Sequence, residues 1–331
     1  MKALILNALR HSAEPVSGSE LCARLGTSRV AVWKHIQKLQ AAGYAIAAGP
    51  KGYTLVSEAD LLNPWEFLGR EERVHCFAEL PSTMDAAKEL ARQGCPAFTV
   101  VVAERQSAGR GRLRRPWESP AGGLYFTVVL RPEIPAPLSL RVNFLAAVTL
   151  ARFLRRRFGV AAGLKWPNDI LVDGRKLCGL LAEMESEGEA VHFVNVGMGV
   201  NVNNDVAGIA PPAVALKALL GREVPRRELL AGFLDDFEAA FARREWEAVI
   251  PEWKRLSVNL GRPVRIVTAG EEVRGVAEDV DESGALIVRQ SDGARRAVIY
   301  GDCFIPPSGD PGLRTPPAVR RQAGRSGKEP E

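Results

Sequence analysis

The chain has 331 residues, 46% of them hydrophobic and 25% charged, with a net charge of +5. That supplies two or three domains with real cores and excludes a low-complexity chain. The mild basicity suits contact with nucleic acid or phosphate without selecting either. The five cysteines, Cys22, Cys76, Cys95, Cys178 and Cys303, form no C-x-x-C pair. A zinc ribbon or disulfide framework is therefore not indicated, and reduced thiols in a cytoplasmic protein are the simplest reading. The start, MKALILNALRHS, is too short an apolar run for a signal peptide or a membrane span.

Residues 1–60 carry seven Lys/Arg against four Asp/Glu. Leu4, Ile5 and Leu9 predict an amphipathic first helix ending before Pro15. Ser17-Gly18-Ser19-Glu20 offers a serine cap with an acid in the first turn, so a helix over 19–25 should end at Gly26. Thr27-Ser28 caps a third helix running to about Ala42. There Val32, Ile36 and Leu39 share one face, Ala31, Lys34 and Lys38 lie roughly opposite, and Ser28 and Arg29 stand at the exposed N-terminus. Short strands at 44–46 and 53–56 flank Gly49-Pro50-Lys51-Gly52. Helix, small turn, helix and hairpin together predict a winged helix-turn-helix, with Ser28, Arg29, Lys34, Lys38 and Lys51 facing DNA. A packing module without DNA contacts is the alternative.

A linker is expected over 60–70, broken by Asn63-Pro64. Val74–Leu80 reads as a strand. Pro81-Ser82-Thr83 then opens a helix over 84–92, its hydroxyls either simply capping the helix or bonding a polar ligand. Thr99–Ala103 is a β-branched strand leading into ERQSAGRGRLRRPW, residues 104–117. This stretch holds Arg105, Arg110, Arg112, Arg114 and Arg115 with no carboxylate between Glu104 and Glu118. It is either solvated surface or a loop that closes on an anion. A strand follows at 124–130, then a long helix at 138–158 whose last three arginines suit a solvated C-terminus. In Lys165-Trp166-Pro167-Asn168-Asp169 the proline restricts its predecessor and so pins the lysine. Strands at 170–172, 176–183 and 191–196 form a meander turning at Asp173-Gly174. Gly197-Met198-Gly199-Val200-Asn201-Val202-Asn203 ends it, with two glycines that let a backbone approach a ligand; no helix signal follows at once, so a dinucleotide fold is excluded.

Helices are expected over 211–220, 226–242 and 246–256. Strands at 264–267, 272–280, 285–288 and 297–300, divided by Gly270, Gly284 and Gly293, predict a small β-barrel. Residues 306–331 are rich in Pro, Gly, Ser and Arg and read as disordered.

Ser-Thr at 82–83, E-x-Q-x-x-G-R-G-R at 104–112, K-W-P-N-D at 165–169 and G-x-G-x-N at 197–201 resemble the motifs of biotin protein ligases. SRVAVWKHIQKL and GPKGYTLV resemble the recognition helix and wing of the bifunctional biotin operon repressors. The resemblance covers the chain to about Ile305. Lipoate ligases share the fold without this pair of arginine-loop and lysine motifs.

It implies an α+β protein. A winged helix-turn-helix would occupy 1–60, a mixed-sheet, class II synthetase-like catalytic domain 61–258, a small β-barrel 259–305 and a disordered tail 306–331. It implies that Ser82, Thr83 and the Met84 backbone contact biotin with Gln106, and that Arg110, Gly111 and Arg112 cover biotin and phosphates. Lys165 would reach the biotin carboxylate and α-phosphate, with Lys165, Arg110 and Arg112 as catalytic cations. Gly197 and Gly199 would approach the ligand, and Trp117, Asn168 and Asn201 the nucleotide. Arg114 and Arg115 stay open between phosphate, dimer partner and solvent. Two departures stand out: Met84 replaces the usual Asn, and Cys178 the usual Ala.

The implied activity is ATP-dependent ligation of biotin to a lysine of the biotin carboxyl carrier protein through biotinyl-5′-AMP, with Mg²⁺ on ATP and no protein metal cluster. A ligand-promoted homodimer would repress at operator DNA in the cytoplasm, away from any membrane. The alternatives are a ligase whose N-terminal domain does not bind DNA, a ligase-dead biotin sensor and a lipoate-type ligase. Two anions meet in the first step, so cations must offset their repulsion, which fits Lys165 and the arginine loop.

Overall fold

The computed structural model describes residues 1–306 other than 58, 189, 210, 211 and 269. The predicted tail, apart from residue 306, lies outside the described residues. Local chemistry sets the first sixty residues. Helices α1 (Lys2–Arg10), α2 (Gly18–Leu25) and α3 (Arg29–Ala41) precede a hairpin of β1 (Ala45–Gly49) and β2 (Gly52–Ser57). Ser17 Oγ accepts from the Glu20 N–H at 3.1 Å, and Ser28 Oγ from the Ala31 N–H at 3.2 Å. Gly26 takes φ +59° at the end of α2, a left-handed cap that glycine adopts without steric cost. Ile5, Leu6, Leu21, Val32, Ile36 and Leu39 close one core, each at most 1% exposed.

The linker is not a loose tether. Leu61 and Trp65 pack on the N-terminal core, whereas Leu62 and Phe67 belong to the main core. Between them the fully buried Glu66 carboxylate meets Arg10 at 2.7 Å, Arg227 at 3.5 Å and the Tyr44 hydroxyl. A buried carboxylate is tolerable only with such partners. Nearby, Arg226 donates to Asp60 at 2.6 Å, Glu104 at 2.7 Å and the Gly123 carbonyl at 3.0 Å. It thereby ties the linker to the two strand ends that flank the arginine loop.

The central sheet runs β3 (Val74–Leu80), β4 (Thr99–Gln106), β5 (Leu124–Leu130), β9 (Ala190–Val200), β8 (Arg175–Glu187), β7 (Asp169–Val172), β6 (Gly163–Lys165). β3 and β4 are parallel, joined through helix α4 (Thr83–Arg92), and the other pairs are antiparallel. Strand alternation divides the side chains. Val100, Val102, Phe126 and Val128 pack in the main core with α5 (Leu140–Phe158), while Val101 and Val129 cluster with Ala87 and Ala91 of α4. Along β5 both faces are covered, which is why that strand reads as continuously apolar. Asp173 and Gly174, at φ +50° and +73°, turn β7 into β8.

Three expectations shift. The helix expected over 211–220 is α6, Leu216–Leu220. Its predicted first part instead lies along β8: Lys176 N–H donates to Pro212 O at 2.8 Å, and Val214 N–H to Lys176 O at 3.0 Å. The last strand of the meander, expected over 191–196, runs on as β9 to Val200, in register with both β5 and β8. Arg156 and Arg157 are not merely solvated: they reach Asp236 and Glu228 of α7 (Arg226–Ala242) at 2.5 and 3.4 Å.

Helix α8 (Trp246–Leu256) leads to β10 (Pro263–Val267), β11 (Glu272–Val280), β12 (Leu286–Arg289), β13 (Arg295–Val298) and β14 (Asp302–Phe304). They form an antiparallel sheet in the order β13-β12-β11-β10-β14, with β14 the strand sequence reading did not see. Among the described residues no helix is long and apolar enough to cross a membrane.

Candidate active site

A cavity of about 1250 Å³ opens between the exposed side of the sheet, the start of α4, the arginine loop and β14. The register explains its floor. On β8 and β9 the residues alternating with Leu180, Val196 and Met198 of the core are Gly179, Leu181, Gly197 and Gly199. Ser82, Thr83, Met84, Gln106, Arg110, Gly111, Arg112, Trp117, Lys165, Asn168, Gly197, Gly199 and Asn201 all line this one space. The structure thus brings together four stretches far apart in the chain.

One end is a network of neutral polar groups. Gln106 Oε1 accepts from the Thr83 N–H at 2.8 Å and from the Thr83 hydroxyl at 3.1 Å. Gln106 Nε2 donates to Ser119 Oγ at 3.0 Å, and the Thr127 hydroxyl donates to Thr83 Oγ1 at 2.9 Å. With its oxygen doubly engaged, the amide is fixed in orientation, leaving one Nε2 hydrogen and one Thr83 lone pair for a ligand. Ser82 caps α4, accepting from the Met84 N–H at 3.3 Å. Met84 itself is buried, and its Cε lies 2.8 Å from where a Cβ on Gly197 would stand.

The middle is apolar. Trp117 lies flat over the glycines of β8 and β9; a Cβ at Gly199 would stand 2.4 Å from its Nε1, and one at Gly179 2.8 Å from its ring. In this arrangement the absent side chains make room for the indole, which becomes the wall of the cavity. The loop itself folds back as a narrow hairpin: Trp117 N–H donates to Gly109 O, and Gly111 N–H to Arg115 O, both at 2.8 Å. A Cβ on Gly109 would stand 2.6 Å from Trp117 O, so the turn excludes larger residues.

The other end is cationic. Lys165 closes β6, and the Trp166–Pro167 bond after it is cis. Trp166, 1% exposed, anchors the turn: its N–H donates to Asn259 Oδ1 at 2.7 Å and its Nε1 to Gly284 O at 3.0 Å. Asp169 sits 3.9 Å from Lys165 and 2.7 Å from Lys176, whose ammonium lies 5.0 Å from the Trp117 ring centre. Asn168 donates to Leu180 O at 2.5 Å, and Asn201, 3% exposed, holds Lys176 O at 3.3 Å and Asn204 at 3.0 Å. Both amides therefore brace the floor while lining the cavity.

The arginines are engaged. Arg110 pairs with Asp85 at 2.6 Å and Glu183 at 3.3 Å, and these carboxylates raise its pKa although burial works against them. Arg112 donates to Gly301 O at 3.1 Å; burial lowers its pKa, with Asp302 and Asp169 opposing and Arg115 assisting. Arg115 pairs with Asp302, so the loop docks on the C-terminal sheet. Lys176, Thr127 and Ser119 were not singled out from sequence, and Asp169 was quoted in its motif without a role. Thr127 had one signal, a small hydroxyl side chain within a strand of large apolar and aromatic residues.

The residues expected to face DNA stand apart from this cavity: Ser28, Arg29, Lys34, Lys38 and Lys51 are all exposed on α3 and the hairpin. No group of three or more His, Cys, Asp or Glu placed to hold a metal occurs among the described residues.

Comparison with known proteins finds matches in the N-terminal, central and C-terminal parts of the chain. The Biotin/lipoate A/B protein ligase family matches residues 76–201, the Biotin protein ligase C terminal domain 260–305 and an HTH domain 2–54. The bifunctional ligase/repressor BirA of Bacillus subtilis is 33% identical over 300 residues, 86% of this chain and 92% of that protein. The Escherichia coli protein of the same name is 32% identical, covering 91% of this chain and 96% of its own length. Among solved structures, the Aquifex aeolicus biotin protein ligase in complex with biotin and ATP superposes with a TM-score of 0.60 at 25% identity, over 70% of this chain and 98% of that one. Kinship over nearly the full length of such relatives, together with all three matching domains, makes this chain a member of the biotin protein ligase family, in the form that carries an N-terminal helix-turn-helix.

Proposed function

We propose that the cavity joins biotin to ATP and passes the biotinyl group to a lysine of a biotin carboxyl carrier protein. The observation that carries this reading is the order of surfaces along one cavity. A donor and an acceptor suited to a urea lie at Gln106 and Thr83, an apolar wall at Trp117, and cations at Lys165, Lys176 and Arg112. Biotin presents the same sequence of a ureido head, an apolar body and a terminal carboxylate.

In the first step a carboxylate oxygen bonds to the α-phosphorus of ATP, the bridging bond to the β-phosphate breaks, and pyrophosphate leaves. Magnesium bound with ATP would offset part of the phosphate charge. Lys165, fixed by the buried Trp166, places positive charge where the two anions meet. Arg110 and Arg112 give up their present oxygen partners to hold phosphate, a match for the guanidinium fork. In the second step the carrier lysine amine, as the free base, attacks the acyl carbon and AMP leaves. The closed loop shields the anhydride from water meanwhile.

Residues 1–60 serve operator binding through Ser28, Arg29, Lys34, Lys38 and Lys51, the catalytic unit 61–258 holds both substrates, and 259–305 helps present ATP or the carrier. A homodimer promoted by the adenylate is the repressing form, and the setting is the cytoplasm. Incubation with labelled biotin, ATP and a carrier domain, followed by mass analysis of the carrier, tests the central claim. One lysine should gain one biotinyl group in an ATP-dependent manner; an unmodified carrier would refute the ligase reading.

A further inference from the structure

Helix α3 presents more than its cations. No carboxylate occurs between Glu20 and Glu58, an interval holding Arg24, Arg29, Lys34, Lys38 and Lys51. A surface so free of negative charge fits a polyanion and disfavours an ordinary protein partner. With about 100° between successive residues, Val32, Ile36 and Leu39 define the buried side, and Val30 and Lys34 fall most nearly opposite them, one on either side of the midline of the outward face. On Val30's side of that midline Gln37 and then Trp33 follow, and on Lys34's side Lys38. Exposure agrees: Val30 is 62% exposed and Trp33 53%, unusual for large apolar side chains, and Gln37 is exposed as well. One Gln37 amide hydrogen goes to Gln40 Oε1 at 3.1 Å; its own Oε1 and second hydrogen have no partner among the described residues.

Apolar groups and a carboxamide on one half of the face, with cations on the other, suit a division of labour in the major groove. Thymine shows a methyl group there, and adenine an acceptor beside a donor, which a glutamine matches in bidentate fashion. Lysines on the other half meet the phosphates bordering the groove. We infer that Val30, Trp33 and Gln37 read A·T base pairs in duplex DNA, Val30 and Trp33 through thymine methyls and Gln37 through adenine, while Lys34 and Lys38 supply sequence-independent affinity. This rests on the reading of residues 1–60 as a DNA-binding unit.

The test is selection of binding sites from a random duplex pool by the full chain with biotin and ATP present, repeated with variants and followed by affinity measurements against salt. The wild type should recover sites with A·T pairs in the α3 footprint. Val30→Ala, Trp33→Ala and Gln37→Ala should each relax preference at one position by roughly 5- to 100-fold. Their affinity for unrelated duplex and its salt slope should hold. Lys34→Ala and Lys38→Ala should weaken all sequences alike and reduce the salt slope by about 1 each. An unchanged consensus in the Val30, Trp33 and Gln37 variants, or selected G·C pairs at those positions, would overturn the inference and leave DNA binding standing. Failure of the wild type to hold any duplex would overturn the DNA-binding reading itself.

Discussion

Two basic regions of this molecule handle charge in opposite ways. On the helix-turn-helix, Arg29, Lys34, Lys38 and Lys51 are exposed and, among the described residues, have no carboxylate partner. In the cavity the cations are already matched: Arg110 with Asp85 and Glu183, Arg115 with Asp302, Lys165 and Lys176 with Asp169. The first arrangement attracts a long polyanion by releasing its counterions, so its strength falls steeply with salt. The second binds a small anion by exchanging one partner for another, in a partly dry space where salt screens less. The same residue types thus serve two kinds of anion, and the neighbouring carboxylates decide which.

The sharpest way to break the comparison is at Lys165. Lys165→Ala should slow adenylate formation by ~100- to 1,000-fold, the scale for losing one donor to developing charge, measured by pyrophosphate release. A near-normal rate would remove Lys165 from the reaction.

Next in size is Arg226, outside both regions but bonded to the strand ends beside the loop. Arg226→Ala leaves Asp60 and Glu104 facing each other without their cation. These retain 26% and 32% of their side-chain exposure. The cost should therefore be about 2–3 kcal/mol, short of the fully buried case, seen as a lower midpoint in chemical denaturation. A change below the error of the method would mean that solvent replaces the guanidinium.

A smaller effect is expected at the neutral end of the cavity. Thr127→Val removes the hydroxyl that orients Thr83 and should raise KM for biotin ~10-fold, for about one hydrogen bond, without moving KM for ATP. Thr127→Ser should restore it. Equal rises in both constants would point to general loosening of the sheet.

The smallest effect is predicted at Cys178, fully buried in β8, whose thiol pKa burial pushes well up. Cys178→Ala should cost about 1 kcal/mol in packing and leave turnover as it was. A changed turnover would place this side chain in the chemistry.

What the sequence revealed follows the range of the forces involved. β3, β5, α7 and α8 are set by local pattern, and their bounds match those read from sequence. The serine caps at 17, 28 and 82 were equally local. Helix α6 was overdrawn because its predecessors pair with β8, a partner distant in sequence. The cavity was legible through motifs, yet the partners of its arginines were not, since Asp85, Glu183 and Asp302 come from three separate elements. Lys176 and Thr127 also escaped: each sits in a strand whose facing direction is known only once the register is known.

The junction at Asp60 has a practical consequence for anyone dividing this protein. A cut between 60 and 61, where composition suggests a boundary, separates Asp60 from Arg226 and leaves Leu61 and Trp65 without the core they cover. Starting the catalytic half a few residues earlier keeps the ion pair but still strips Glu66 of Arg10 and Tyr44. The two halves are therefore not interchangeable cassettes. A graft of a foreign DNA-binding unit has to carry its own counterparts of Arg10 and Tyr44, or replace Glu66 with a residue content to be alone.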